Sequence, residues 1–178
     1  MKRYIAFLRG VNISGKNRVS MPDLKQAMLE AGFSDVSTYL NSGNIVFKSE
    51  EGDAGGKIRQ VIRDRFDLDI PVYVIAADVL QDVLAHAPAW WNTGDKGRYD
   101  NLVFILSEDT PEEICSMIGE PSEGLEQVQI YRQFIFWTFD RKQYGKCSWW
   151  KKTAVNGIAE RLTIRTAGTV IKVCEKGR

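Results

Sequence analysis

RYIAFLRGVNISGKNRVSMPDLKQAMLEAGFSDVSTYLNSGNIVFK, residues 3–48, decides the fold. Arg3–Arg9 is a short apolar run with a charge at each end. Its apolar residues do not alternate with polar ones, so it predicts a strand that is covered on both faces or central in its sheet. A polar, glycine-bearing loop follows to about Ser20. Leu24, Ala27, Met28 and Ala31 then recur at helical spacing and predict a helix from Met21 to Glu30. Ser20 with Asp23 three residues later has the form of a capping box, with Asp in place of Glu, and Gly32 stops the helix. Val36–Leu40 and Asn44–Lys48 flank a turn at Asn41-Ser42-Gly43 and predict a hairpin.

Beyond this stretch, Ile58, Val61, Ile62 and Phe66 mark a second helix, and Pro71–Ala76 a strand whose opening proline suits a sheet edge. The order is β-α-β-β-α-β, the split arrangement of ferredoxin-like folds. A connector with a short helix over Asp78–Ala85 follows, and then the order returns. Asn101–Ser107 matches the first strand, and Thr110-Pro111-Glu112-Glu113 supplies an N-cap, a proline at the first helical position and a capping glutamate. Ile114, Met117 and Ile118 form the stripe of that helix, and Val128–Tyr131 and Phe134–Phe139 are two more strands. Val155, Ile158, Ala159 and Leu162 predict a helix. GTVIKVC could be a strand, but Ala167, Val170, Ile171 and Cys174 fit helical spacing, which favours a helix with Thr166 near its cap. The expectation is an α+β protein of duplicated ferredoxin-like halves, with mainly antiparallel sheets and helices on one face. The N-terminal ferredoxin-like subdomain is 1–76, the connector 77–98 and the C-terminal α+β subdomain 99–178. The repeat is one of pattern, not of residue identity.

Composition sets the broad class. The 178 residues are 44% apolar and 26% charged with a formal charge of +1, the proportions of an ordinary globular protein. No apolar run approaches the roughly 20 residues that span a bilayer, so no membrane partner is expected. MKRYIAFLRGVN has a basic end and a short apolar run but no small-residue cleavage site, and it reads as a strand rather than a signal peptide. Cys115, Cys147 and Cys174 are odd in number, far apart and in no C-x-x-C spacing, which argues against a disulfide framework or a zinc site and for reduced thiols in a cytoplasmic protein. His86 is the single histidine and reads as solvent-facing or packed. It cannot build a three-ligand metal site without two carboxylates placed by the fold, and no G-x-S-x-G elbow accompanies it. The sequence calls for no metal and no cofactor. A monomer or a homodimer is equally compatible with it.

Charge is unevenly spread. Residues 1–20 hold Lys2, Arg3, Arg9, Lys16 and Arg18 and no acid, and residues 131–152 hold six bases against Asp140 alone. Together they carry +10, leaving −9 for the rest, with the longest acid run from Glu108 to Glu126. Solvated faces explain such asymmetry, and so do anionic ligands.

The sharpest motif is the loop Gly10-Val11-Asn12-Ile13-Ser14-Gly15-Lys16-Asn17-Arg18. GVNISGKN matches G-x-x-x-x-G-K but ends in Asn where a phosphate loop needs the Ser/Thr hydroxyl for magnesium. The helix also starts near Met21 rather than at the lysine, and the β-α-β-β-α-β order is not the parallel fold of nucleotide hydrolases. A weaker form of the same physics remains. Glycines let a backbone approach a ligand, and consecutive amides form an anion nest. The candidate anion site is therefore Arg9, Asn12, Gly15, Lys16, Asn17 and Arg18, with Asn41, Ser42 and Asn44 of the hairpin turn. Against it, Asn and Gly are turn formers, and Asn12 could simply bond the backbone.

Leu8–Asn17, Val19–Leu24 and Tyr39–Phe47 resemble the opening of the bacterial domain of unknown function 1697 (DUF1697) family: a strand, L-R-G-I-N-V-G-G-x-N, a V-x-M-x-x-L helix and a Y-x-x-S-G-N-V-V-F hairpin. The match is dense over about the first 50 residues. Near its end the family has T-x-R-N-W-N-T-V-x-K-L. This chain keeps Thr163, Arg165, Thr169, Val170 and Lys172 but has Thr166-Ala167-Gly168 in place of N-W-N, and Ser148-Trp149-Trp150-Lys151 replaces the family's S-K-L-T. The resemblance implies an α+β fold with ferredoxin-like pieces and no assigned activity, and it makes Arg165, Thr169 and Lys172 secondary candidates.

Tyr131–Lys152 interleaves Phe134, Phe136, Trp137, Phe139, Tyr144, Trp149 and Trp150 with six bases, the mixture that grips single-stranded nucleic acid. The RNP pattern is absent, and alternation along Phe134–Phe139 turns half of those rings inward. The expected partner is a phosphate-bearing small molecule held by a non-enzymatic module. The alternatives are single-stranded nucleic acid, a small enzyme using carboxylates such as Asp100 or Glu160, and a domain that dimerises through its aromatic surface.

Overall fold

The computed structural model describes residues 1–50 and 52–178. They form two compact units, Met1–Gln81 with Lys172–Arg178, and Asp82–Ile171. The first unit contains β1 (Lys2–Leu8), α1 (Met21–Glu30), β2 (Ser34–Tyr39), β3 (Asn44–Ser49), α2 (Ala54–Phe66) and β4 (Val72–Ala76), followed by α3 (Ala77–Ala85), whose last turn is assigned to the second unit. Its sheet has the order β2-β3-β1-β4, all neighbours antiparallel. β1 is central, as the unbroken apolar run predicts: Ile5 pairs with Val46 on one side and Ile75 on the other, and Ile5–Leu8 are fully buried. β4 is an edge strand, which is where Pro71 belongs.

The second unit repeats this plan with β5 (Arg98–Ile105), α4 (Pro111–Ile118), β6 (Glu126–Tyr131), β7 (Phe134–Asp140), α5 (Ser148–Lys152) and β8 (Leu162–Thr166), followed by α6 (Ala167–Lys176). The order β6-β7-β5-β8 is again antiparallel throughout, with Val103 of β5 between Ile135 and Ile164. The expected α+β fold with two β-α-β-β-α-β halves is what the chain adopts.

Each unit has its own core. Leu8, Leu24, Met28, Ile45, Phe47, Ile58 and Ile62 lie in that of the first, where Phe33 meets Phe47 edge to face at 5.1 Å. Full burial of an Ile or Leu side chain is worth about 1.5–3 kcal/mol, so the helical stripes read from sequence also fix where α1 and α2 dock. Val103, Ile114, Ile118, Ile135, Trp137 and Trp149 lie in that of the second.

Two local expectations need correction. The Ser20 hydroxyl accepts the Asp23 N–H at 3.3 Å, but the Asp23 carboxylate is held by Arg65, at 2.6 and 3.0 Å, so the capping box has only its hydroxyl half. Thr110 and Glu113 make the full box. The helix expected through Val155, Ile158, Ala159 and Leu162 does not form. Gly157 turns the chain at φ +92°, Ala159–Arg161 is a single 3-10 turn, and Leu162 opens β8. LTIRT is rich in β-branched residues, and pairing along β5 outweighs a four-residue apolar spacing. The last segment is helical from Ala167, with Thr166 receiving the Thr169 N–H at 3.4 Å, so its cap lies where the spacing puts it.

Candidate functional site

The loop between β1 and α1 is a small hairpin of its own. Lys16 N donates to Ile13 O at 2.9 Å and Asn12 N to Asn17 O at 3.0 Å. Ser14 and Gly15, the two residues at the tip, have φ of 50° and 74°, the positive values a tight mirror-image turn requires. Gly10, Asn12 and Asn17 are left-handed as well, which suits Gly and Asn better than other residues.

The asparagines hold this geometry. Asn12 Nδ2 donates to Val19 O at 2.9 Å and Asn41 O at 2.8 Å, while Asn12 Oδ1 accepts Val19 N at 2.8 Å. One side chain thus ties the loop to the start of α1 and to the β2–β3 turn. Asn17 Nδ2 donates to Gly10 O at 2.9 Å and closes the base of the loop. The fully buried Asn44 donates to Tyr39 O at 2.8 Å and Ser42 Oγ at 2.9 Å. Sequence places these amides as ligand donors, whereas here they brace the backbone. That distinction needs the partners' positions, and no local pattern carries it.

Asn12, Gly15, Arg18 and Asn41 do come together. They line a groove of about 480 Å³ completed by Ser20, Met21 and Pro22, which the sequence reading passed over. A Cβ placed on Gly15 would stand 3.6 Å from the Arg18 guanidinium, so the glycine leaves that arm room to lie across the tip. Lys16 and Arg18 are exposed. Arg3, Arg59, Arg63 and Arg65 all pair with aspartates, but among the described residues Lys16 and Arg18 have no carboxylate within ion-pair distance. Arg9 is half-buried and lies outside the groove lining, as does the exposed Ser42.

The secondary candidates have local partners. Arg165 is 9% exposed and donates to Thr163 Oγ1 at 2.9 Å, and burial lowers its pKa to about 10. Thr169 Oγ1 accepts from Thr166 Oγ1 at 3.1 Å. Lys172 lies 3.8 Å from Glu175 and is assigned to the first unit. In the basic aromatic segment, Phe134, Phe136, Trp137, Phe139 and Trp149 are buried, and only Tyr144 and Trp150 are exposed.

His86 stacks on Tyr131 at 4.5 Å with its Nδ1 2.8 Å from Asp82 O. Glu160 Oε2 accepts the Gly157 N–H, and Asp100 Oδ2 accepts that of Asn92. The three cysteines are unbridged, and burial pushes each thiol's pKa up, away from thiolate chemistry. Among the described residues, no group of three or more His, Cys, Asp or Glu could hold a metal ion, and no helix is long and apolar enough to cross a membrane.

A family model described as "Protein of unknown function (DUF1697)" matches residues 1–136. The solved structure of a conserved bacterial protein from Streptococcus pneumoniae is similar in fold, with a TM-score of 0.86 at 24% identity over 99% of each chain. A search of curated proteins gives no match.

Proposed function

We propose that this chain, which belongs to the DUF1697 family of proteins of unknown function, is a binding module for a phosphate-bearing small ligand seated on the β1–α1 loop. The observation that carries the reading is Arg18, which lines the Gly15–Ser20 groove, with Lys16 outside the lining on the same loop braced by Asn12 and Asn17, both cations without carboxylate partners among the described residues. An unpaired cation on a preorganised backbone loses little conformational freedom when an anion arrives, and Arg18 can meet two phosphate oxygens with its planar fork. The asparagines keep the loop open, and the arginine and lysine supply the charge.

Calorimetric titration with inorganic phosphate and with pyrophosphate tests this reading. Saturable binding should weaken at least tenfold in the Lys16→Ala, Arg18→Ala double variant. Unchanged affinity in that variant, or no binding by the parent chain, removes the loop from consideration.

A further inference from the structure

The second unit holds a cavity of about 740 Å³, within the roughly 300–1,000 Å³ range of small-molecule sites. Its rings come from three places in the chain: Tyr99 on β5, Trp137 and Phe139 on β7, and the exposed pair Tyr144 and Trp150 around α5. Tyr99 and Phe139 stack at 5.1 Å, Trp137 lies 5.0 Å from Phe139, and Tyr144 and Trp150 are 4.8 Å apart. Buried rings back the cavity, while an exposed aromatic pair large enough to meet another ring stands in solvent. Exposed Trp and Tyr in contact are costly surface to leave wet, and they offer stacking area to any planar ligand.

A second groove, of about 460 Å³, adjoins the first and shares Tyr99 and Arg141 with it. Arg141 lies over the Tyr99 ring, 4.9 Å from its centre, so a cation stands where the two spaces meet. The groove adds Lys96, Arg98 and the first residues of α6, Ala167 and Gly168. A Cβ on Gly168 would meet nothing within 4 Å, so the positive end of the helix is open to an approaching anion. Of the two acids here, Asp95 is turned to the Gly97 N–H at 2.8 Å.

Two buried polar atoms in these walls have no hydrogen-bond partner among the described residues. Trp137 Nε1, on a side chain 3% exposed, is a donor in need of an acceptor, and Asp100 Oδ1 is an acceptor in need of a donor. Orphaned buried polar atoms are rare in folded proteins, and both of these lie beneath the surface of the walls rather than on it.

We infer that this composite site takes a mononucleotide, with its base against the aromatic cavity and its phosphate in the adjoining basic groove. A mononucleotide combines what the walls ask for: a planar ring to stack on the exposed Tyr144 and Trp150, and a dianion for Arg141, Arg98 and Lys96. With only Tyr144 and Trp150 exposed among the segment's rings, there is no extended platform for a strand of bases, so a single nucleotide is favoured over single-stranded nucleic acid. The inference stands on residues of the second unit and is independent of the loop reading.

Titration of the full chain with AMP, GMP, CMP and UMP, followed by tryptophan fluorescence and calorimetry, tests it. At least one nucleotide should bind saturably with a shallow salt dependence. Trp150→Ala and Arg141→Ala should each weaken that binding at least tenfold while the circular dichroism spectrum and melting temperature hold, both side chains lying at the surface. The Lys16→Ala, Arg18→Ala variant should leave it unchanged. Absence of saturable binding by about 1 mM overturns the inference. So does binding that the loop variant abolishes and Trp150→Ala does not, and so does a short single-stranded oligonucleotide that binds far more tightly than any mononucleotide with a steep salt slope.

Discussion

The buried Glu126 carboxylate receives the main-chain N–H of Trp149 at 3.1 and 3.2 Å, one distance to each oxygen. It also accepts from Trp150 N at 3.3 Å, Ser122 N at 2.9 Å and Ser148 Oγ at 3.3 Å. One side chain from the start of β6 thus gathers the open N–H groups at the start of α5 and fixes the segment that carries Trp150 into the aromatic cavity. Hydrogen bonds to a charged acceptor are worth about 1.5–3 kcal/mol each when their loss leaves a buried donor. Glu126→Gln keeps the shape and one acceptor oxygen but sets an NH₂ against donors. It should cost about 2–3 kcal/mol in urea denaturation, and a loss below about 0.5 kcal/mol would show that water replaces the carboxylate.

The Asn12 clamp yields a second prediction. Asn12→Gly keeps the left-handed backbone at that position and removes three hydrogen bonds, to Val19 O, Asn41 O and from Val19 N. The cost should be about 1–3 kcal/mol, at roughly 1 kcal/mol or less per bond in a part-exposed setting. Lys16 and Arg18 sit on the released loop, so trypsin should cut there faster than in the parent chain. Unchanged stability and an unchanged cleavage rate together would show that the loop holds its shape without the clamp.

Two glycines predict opposite signs. A Cβ on Gly43 would stand 2.6 Å from Leu8 Cβ and 3.0 Å from Val11 Cγ2, and its φ is +86°. Gly43→Ala should therefore destabilise by about 2–4 kcal/mol through strain and overpacking against β1. Gly55, in the first turn of α2, has no contact nearer than Val74 Cγ2 at 3.5 Å for an added methyl. Gly55→Ala should stabilise by up to about 1 kcal/mol, by limiting the unfolded chain and burying a methyl. Equal effects in thermal melts would contradict the packing argument at both positions.

The elements legible in the sequence are those whose signals are local. The apolar run of β1, the Ser20 and Thr110 caps and the Asn41-Ser42-Gly43 turn each sit within a few residues, and each was readable before any partner was known. β8 escaped because LTIRT becomes a strand only through pairing with β5, some sixty residues earlier in the chain, while the spacing of Val155 to Leu162 mimics a helix over one short window. Glu126 closes an acid run that reads as solvated surface, and only its four donors explain its burial. The loop was visible as a loop, but the task of Asn12 was not, because Asn41 and Val19 reach it from other elements. The aromatic cavity was half visible: its rings on β7 and around α5 stood in one segment, and Tyr99 joined them through the β5–β7 register, opposite Phe139.

Asp69 sets an acid limit on the first unit. It receives Arg59 Nε at 2.6 Å, Arg59 Nη2 at 2.9 Å and Arg63 Nη2 at 2.9 Å. The hydrogen bonds from Arg59 lead in lowering its pKa to about 2. An unfolded aspartate titrates near 4, so the folded state binds its proton more weakly than the unfolded one. The linked stability is fully present above about pH 4 and is lost as pH falls through about 2. Because the group is exposed, the contribution is screened by salt. The expected outcome is a melting temperature that drops between pH 4 and pH 2, with Asp69→Asn flattening part of that slope and lying close to the parent chain at the acid end. Equal slopes for the two proteins across this window would mean that the Arg59–Asp69–Arg63 cluster holds no pH-linked stability, and that α2 is kept against the sheet by its apolar face, Ala54, Ile58, Val61, Ile62 and Phe66.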